Sequence, residues 1–551
     1  MTAHSTFWRC AALAAVLAAP VPAWTQDALD RSDAAIAAES AGTPPPAAAP
    51  SRLATSQARA DIAPISTAGP VEASAIAVDG APSVPPSAFL AATEPFLGRP
   101  LAQADLKALA TSVANVLRER GLVFASAWVA PQALTQGVLR VSADEGRLDA
   151  VRLGGQERPA IRRALGGLAD GQPVTQARLQ RALLLAGDLP GVDIGDTQYE
   201  LEEGRGVLGV SPALTPVESY ASLDNWGSRS VGPVRLRNRI ALNDLAGSGD
   251  QLSLRTTLTP FDLRELATLG GDYGLVLGRG GTVASVGASY TRVQPGGRYR
   301  RLDLDGRSVS ANVGLSHPLV RSAERNLWAS LDLSLRDSEQ DRGRALVRDD
   351  RVASVSLGVS GYTLAARGWL SGRVTVRQGL DVLGATERGD SLASRRNGSG
   401  VFSKAEAFAE WTVPVLPRVS VRLAGEGQIA SRPLLSSEEF GIGGPRFGRG
   451  YDYSERRGDR GVAGSAELRH QVPGRAGPID DVQLYGFIDG GTVDDLRSAG
   501  GGGLVSAGGG VRFDLGRMLD AEFEAGVPLD PDRFETGDRD PRLSFTMSAR
   551  F

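Results

Sequence analysis

Two hydrophobic periods divide this chain. Up to about residue 214, several segments carry apolar residues at three- and four-residue spacing. Leu106, Leu109, Val113, Val116 and Leu117 share one face of a helix expected over Leu101–Leu117, with Gly121 as its stop. Leu179, Ala182, Leu183 and Ala186 do the same in a second helix, which starts at Thr175 as N-cap and ends at Asp188-Leu189-Pro190-Gly191. From about Val217 to Phe551 the helical period is gone. Apolar and polar residues alternate instead, in runs of about ten separated by Gly, Asp, Arg and Ser.

The alternation is clean where it can be read over a long run. Leu327, Ala329, Leu331, Leu333 and Leu335 alternate with Trp328, Ser330, Asp332, Ser334 and Arg336. Ala405, Ala407, Ala409, Trp411 and Val413 alternate with Lys404, Glu406 and Glu410. Val419, Val421 and Leu423 form another such face, and Val511, Phe513 and Leu515 a fourth. The polar faces carry full charges of both signs, while the apolar faces are mostly aliphatic. Lipid outside and a wet lumen inside would require that pattern. A soluble sandwich alternates too. The length of the helix-free run and the terminal strand Leu543-Phe545-Met547-Ala549-Phe551 favour a closed barrel, which leaves no edge for lipid to meet. The run accommodates about sixteen strands, an even number as bacterial barrels have.

The N-terminal half reads as two small modules of one order. In residues 71–146 it is strand Val71–Val78, helix, then strands Leu122–Val129 and Val138–Ala143. In residues 147–216 it is strand Leu148–Leu153, a short helix Pro159–Leu165, the Thr175 helix, then strands near Asp193–Leu201 and Gly206–Ser211. The expected fold is therefore mixed: two α+β modules, then a 16-stranded antiparallel transmembrane β-barrel over 217–551.

Composition refines this picture at the N-terminus. Residues 1–23 read as a secretory signal, with Arg9 before the apolar run Cys10–Ala19 and Val21-Pro22-Ala23 as cleavage site. Residues 24–70 are rich in Ala, Pro, Ser and Thr and read as a linker, of which Asp27–Ser40 could form one helix. No later stretch approaches 18 consecutive apolar residues. The formal net charge of -3 gives no basic field for nucleic acid. One cysteine, Cys10, excludes a disulfide within the chain, and His4, His317 and His470 are too scattered for a zinc site.

Catalytic motifs are missing. There is no G-x-S-x-G elbow, P-loop or dinucleotide fingerprint. Asp494-Asp495 sits in an expected loop and reads as a solvated pair. No enzyme activity, cofactor or metal is expected. One loop stands apart, over about 434–457: Phe440-Gly441-Ile442-Gly443-Gly444-Pro445-Arg446-Phe447-Gly448-Arg449-Gly450-Tyr451-Asp452. Long loops mixing glycine, arginine and aromatics are more often functional than merely connecting.

Its Arg449-Gly450-Tyr451 triplet resembles the (V/I)-R-G-(Y/F) tip of the sixth extracellular loop in two-partner secretion transporters, with Gly448 where Val or Ile is usual; the two glycines around Arg449 are expected to let the backbone turn tightly. Phe487-Ile488-Asp489-Gly490-Gly491 resembles the F-x-D-x-G strand motif of the same family. If Val482, Leu484 and Ile488 face lipid, Phe487 and Asp489 face the lumen. Leu223-Asp224-Asn225-Trp226-Gly227 with Gly232 resembles the first-strand turn. Gly121, Pro131-Gln132, Gly137 and Glu145-Gly146 resemble the first polypeptide-transport-associated (POTRA) module, and Leu189-Pro190-Gly191 the second.

The resemblance implies an outer-membrane transporter with POTRA modules in the periplasm. They would capture a large secreted exoprotein (adhesin, haemolysin or contact-dependent toxin), with the binding residues somewhere within 71–216. The barrel would pass it to the cell surface. The resemblance also implies a lumenal lock built from Arg449, Gly450, Tyr451, Phe487, Asp489 and Gly491, with Arg449 against Asp489. It implies contact with outer-membrane lipid, help from the barrel assembly machinery during insertion, and a plug helix at Asp27–Ser40 by position alone. The alternative is a BamA-type assembly factor, which usually carries more than two POTRA modules.

Overall fold

The computed structural model describes Thr55–Ser56 and residues 71–551, apart from 133, 156–157, 474–478, 498–499, 517 and 535. The expected signal and the helix over Asp27–Ser40 lie outside the described residues.

The first module packs helix α1 (Gln103–Glu119) on a three-stranded sheet of Ala75–Asp79, Val138–Asp144 and Ser126–Trp128. Leu106, Leu109, Val113 and Leu117 are all fully buried, so the helical period did mark the core face. The motif residues have structural reasons. Gly121 and Gly137 take positive φ, 86° and 74°. Gln132 spans Arg140 with both ends of its amide, and buried Glu145 accepts from Ser83 N and Oγ at 2.7 and 2.5 Å. A Cβ on Gly146 would lie 2.5 Å from the Phe124 backbone. The expected strand Leu122–Val129 is shorter than its apolar run, because Leu122 and Phe124 are spent as core anchors instead.

The second module repeats the topology. Strand Ala150–Leu153 runs parallel to Arg205–Val210, which pairs antiparallel with Thr197–Glu202. Two helices cover the sheet, α2 (Pro159–Leu165) and α3 (Gln176–Gly187), and the Thr175 hydroxyl caps α3 by accepting from Arg178 N. Thr55–Ser56 adds a short parallel strand beside Thr197–Gln198. This module is fastened to the periplasmic turns of the barrel. Arg321 grips Asp188 at the end of α3 through two bonds of 2.6 and 2.7 Å, and Arg158 pairs with Asp244 at 2.8 Å. Gly191 sits in that junction, where a Cβ would lie 2.3 Å from Thr215 O.

The barrel is closed by sixteen antiparallel strands in sequence order. They are β1 (Val217–Asp224), β2 (Arg235–Asn243), β3 (Asp250–Leu258), β4 (Ala267–Leu277), β5 (Thr282–Val293), β6 (Leu304–Arg321), β7 (Arg325–Arg342) and β8 (Ala345–Ala365). There follow β9 (Gly368–Leu380), β10 (Ser403–Leu416), β11 (Val419–Ala430), β12 (Arg460–Val472), β13 (Ile479–Asp494), β14 (Gly501–Leu515), β15 (Leu519–Asp530) and β16 (Arg542–Arg550). Alternation separates the faces as the period requires. Val309 is 54% exposed beside Ser308 at 2%, and Leu357 63% beside Ser356 at 5%. The exposed set along β3–β16 is mostly aliphatic, with Tyr290 and Phe523 among it, as suits a lipid-facing band. Inside, charges pair across strands: Arg422 with Glu410 at 2.6 Å, Arg512 with Glu522 at 3.0 Å.

Closure is thin at the seam. β1 and β16 are in register from Tyr220–Arg550 to Asp224–Thr546, and Ser219 and Phe551 exchange two further backbone bonds of 2.9 and 3.0 Å. The Asn225 side chain extends that seam by donating to Leu543 O and accepting from Phe545 N. Phe551 falls just past β16 and is 70% exposed.

Candidate functional site

Loop 6, residues 431–459 between β11 and β12, folds inward. Its base is a hairpin, Phe440–Ile442 against Arg456–Gly458, which periodicity could not show because each arm has only three residues. Gly443 and Gly444 then turn with φ of 107° and 97°, and the tip closes on itself through Gly443 N to Phe447 O at 2.8 Å. Phe440, Ile442, Phe447 and Tyr451 bury together against Val493 and Leu504 of the wall.

Arg449 sits at the tip and is 4% exposed. Its Nε donates to Asp489 Oδ2 at 2.7 Å, and its backbone N to Asp489 Oδ1 at 3.2 Å. Its Nη1 reaches Glu467 at 2.8 Å and Glu524 at 3.1 Å, and Nη2 reaches Ser465 at 3.2 Å. Its guanidinium carbon lies 3.4 Å from the Phe487 ring centroid. One planar cation thus meets β12, β13 and β15 at once, and a fork of five donors is what allows it. Burial pushes the Arg449 pKa down, but Glu524 and Asp489 outweigh that and raise it. Ser506 Oγ donates to Asp489 at 2.5 Å and accepts from Gly450 N at 3.1 Å. Tyr451 is fully buried, and its hydroxyl donates to Val505 O at 3.2 Å or Pro531 O at 2.8 Å.

The structure therefore brings Arg449, Gly450, Tyr451, Phe487 and Asp489 together. Gly491 is on the same inward face, against Val462 and Ala463 rather than the arginine. Gly448 and Gly450 differ in use. Gly448 has φ of 87°, so it makes the turn expected of both. Gly450 has no positive φ; it is small because Pro528 N and Val527 C would stand 2.7 and 2.8 Å from a Cβ. We expect Gly450→Val to unseat the tip and raise pore conductance in planar bilayers. A variant conducting like the parent would refute that packing role.

Sequence reasoning missed Glu467 and Glu524. Alternation turns both inward, but it cannot level residues of separate strands. Glu467 also binds Arg512 and Arg469, at 2.9 and 2.7 Å. Asp495, read as solvated, pairs instead with Arg395 at 3.1 Å, and its side chain is only 16% exposed; Asp494 stays half exposed and pairs with Arg460. Glu438, at the loop base, is buried between Lys404 and Arg377, 3.0 and 3.1 Å away. Burial pushes its carboxyl up, but Lys404 and Arg377 outweigh that and hold it down at about 2.

A family model described as haemolysin secretion/activation protein ShlB/FhaC/HecB matches residues 208–513. The chain belongs to this family. A POTRA domain of the ShlB type matches residues 71–146. The transporter is similar to the heme/hemopexin transporter protein HuxB of Haemophilus influenzae, at 24% identity over 69% of this chain and 68% of HuxB. It is also similar to the outer membrane transporter CdiB of Dickeya dadantii, at 23% identity over 77% of each chain. In fold it resembles CdiB from Escherichia coli, with a TM-score of 0.68, 20% identity, and 97% and 100% of the two chains covered. BamA from Haemophilus ducreyi lacking POTRA domains 1–3 is a more distant likeness, with a TM-score of 0.54, 12% identity, and 88% and 100% covered. The transporter is an outer-membrane protein of two-partner secretion, with its barrel in the outer membrane and its POTRA domains in the periplasm.

Proposed function

We propose that this transporter takes a large secreted exoprotein (an adhesin, haemolysin or contact-dependent toxin) from the periplasm and passes it unfolded through the lumen. The tip of loop 6 acts as a releasable lock on that path. The carrying observation is the Arg449 set: a buried cation held by three carboxylates from three strands, across the interior of a barrel. A loop needed only as a surface connection has no reason to enter the lumen and bury a charge there. Capture falls to the modules within 71–216, where among the described residues the strand Ser126–Trp128 pairs on one side only and can accept an extended peptide by strand addition. The barrel also meets outer-membrane lipid through its aliphatic band, and its own insertion draws on the assembly machinery of that membrane.

Co-expression of the full chain with a candidate secreted exoprotein provides the test. Exoprotein should reach the cell surface or medium with the native chain, and stay periplasmic with Asp489→Ala. Equal export in both would remove the lock reading. Export without the chain would remove the transport reading for that partner.

A further inference from the structure

A second buried ion set lies outside the Arg449 set, at the outer mouth. Loop 5, residues 381–402 between β9 and β10, lays its segment around Ser394–Ser399 on the base of loop 6. Arg395 is its centre. Nη1 donates to Leu434 O at 3.0 Å and pairs with Asp459 at 2.5 Å and Glu439 at 2.9 Å; Nη2 pairs with Asp495 at 3.1 Å. Asp459 has a fully buried side chain, and its two oxygens accept from Leu434 N and Leu496 N, both at 2.7 Å. Arg395 and Asp459 therefore join loop 5, both ends of loop 6, and loop 7 after β13. Ser394 Oγ accepts from Ser436 N at 3.0 Å, and Leu434 and Leu435 pack with Phe402 and Val352.

The contrast with the tip is physical. At the base, the buried Asp459 carboxylate satisfies backbone amides of two loops, and an apolar cluster seals it, so separation would strand several groups at once. The tip is held to the barrel wall by the Arg449 set, and it is set off from the base by Gly443 and Gly444, whose backbone can rotate where that of other residues cannot once the set parts. We propose that Arg395 and Asp459 are positioning residues that keep the base of loop 6 fixed to loops 5 and 7 while only the tip, about 443–454, leaves the lumen during export. This rests on the lock reading above.

The test uses the full chain. Ser394→Cys with Ser436→Cys is the cross-link chosen across the base, where the Ser394 side chain already meets the Ser436 backbone N at 3.0 Å, and its oxidation is verified by thiol titration before export is read. Export by the oxidised pair should equal export after reduction. An oxidised pair that blocks export, restored by reductant, would overturn the proposal, because the base would then have to part. Arg395→Ala should give a wider, noisier pore and lose most export while keeping the heat-modifiable mobility of a folded barrel. Arg395→Lys should recover part of both. Wild-type conductance and export in Arg395→Ala would also overturn it. If Arg395→Ala fails to fold, the cross-link alone decides. Normal export by Asp489→Ala would instead defeat the lock reading, a result separate from either outcome here.

Discussion

Replacing Arg449 with Ala is expected to abolish most export while leaving an inserted barrel. The substitution removes the one tip cation from Asp489, Glu467 and Glu524 and its stack on Phe487. Truncating one partner of a buried ion pair costs roughly 3–5 kcal/mol. Applied to tip seating, that shifts the seated-to-free ratio by about two to four powers of ten. Barrel closure depends on backbone ladders that Arg449 does not enter, so insertion persists. Arg449→Lys should not rescue well. A single ammonium cannot bind Asp489 and Glu467 from separate nitrogens and stack on Phe487 as well. Planar-bilayer conductance and an export assay read both effects. Normal export by both variants would show that the tip contact is dispensable.

The second large effect is expected from deleting residues 71–146 in the full chain. Partner capture should be lost, because the first module carries the strand edge free on one side. The cut also removes Phe124, which stacks on Tyr199 of the second module at 4.1 Å. Some loosening of that module follows, but Arg321–Asp188 and Arg158–Asp244 still hold it to the barrel. Heat-modifiable mobility should therefore survive. The check is pull-down of the exoprotein's N-terminal domain by the detergent-solubilised variant. Undiminished capture would move the binding surface out of the first module.

Much of this architecture was legible because it follows from period. Alternation at Leu331 and Leu333 named the lipid face, and the same rule turned Phe487 and Asp489 inward. The helix Pro159–Leu165 and the Thr175 cap were readable from local chemistry. The partners of Arg449 were only half readable. Glu467 and Glu524 depend on barrel register, which sets the height of each strand and leaves no local signature. Arg395 was invisible for a related reason. Its loop has no period, and its partners Asp459 and Asp495 lie in two other loops. Gly450 was misjudged in mechanism, since a glycine kept for close approach looks in sequence like one kept for a turn.

Passage of the exoprotein through the lumen is tested most directly by photo-cross-linkers placed at neighbouring positions of β9 while a stalled exoprotein occupies the transporter. Thr375 alternates with Val374 and Val376, which are 53% and 52% exposed on the lipid face, so Thr375 faces the interior. Adducts with the exoprotein should form from Thr375 and not from Val374. Adducts from Val374 alone, or from neither while export proceeds, would contradict passage through the barrel.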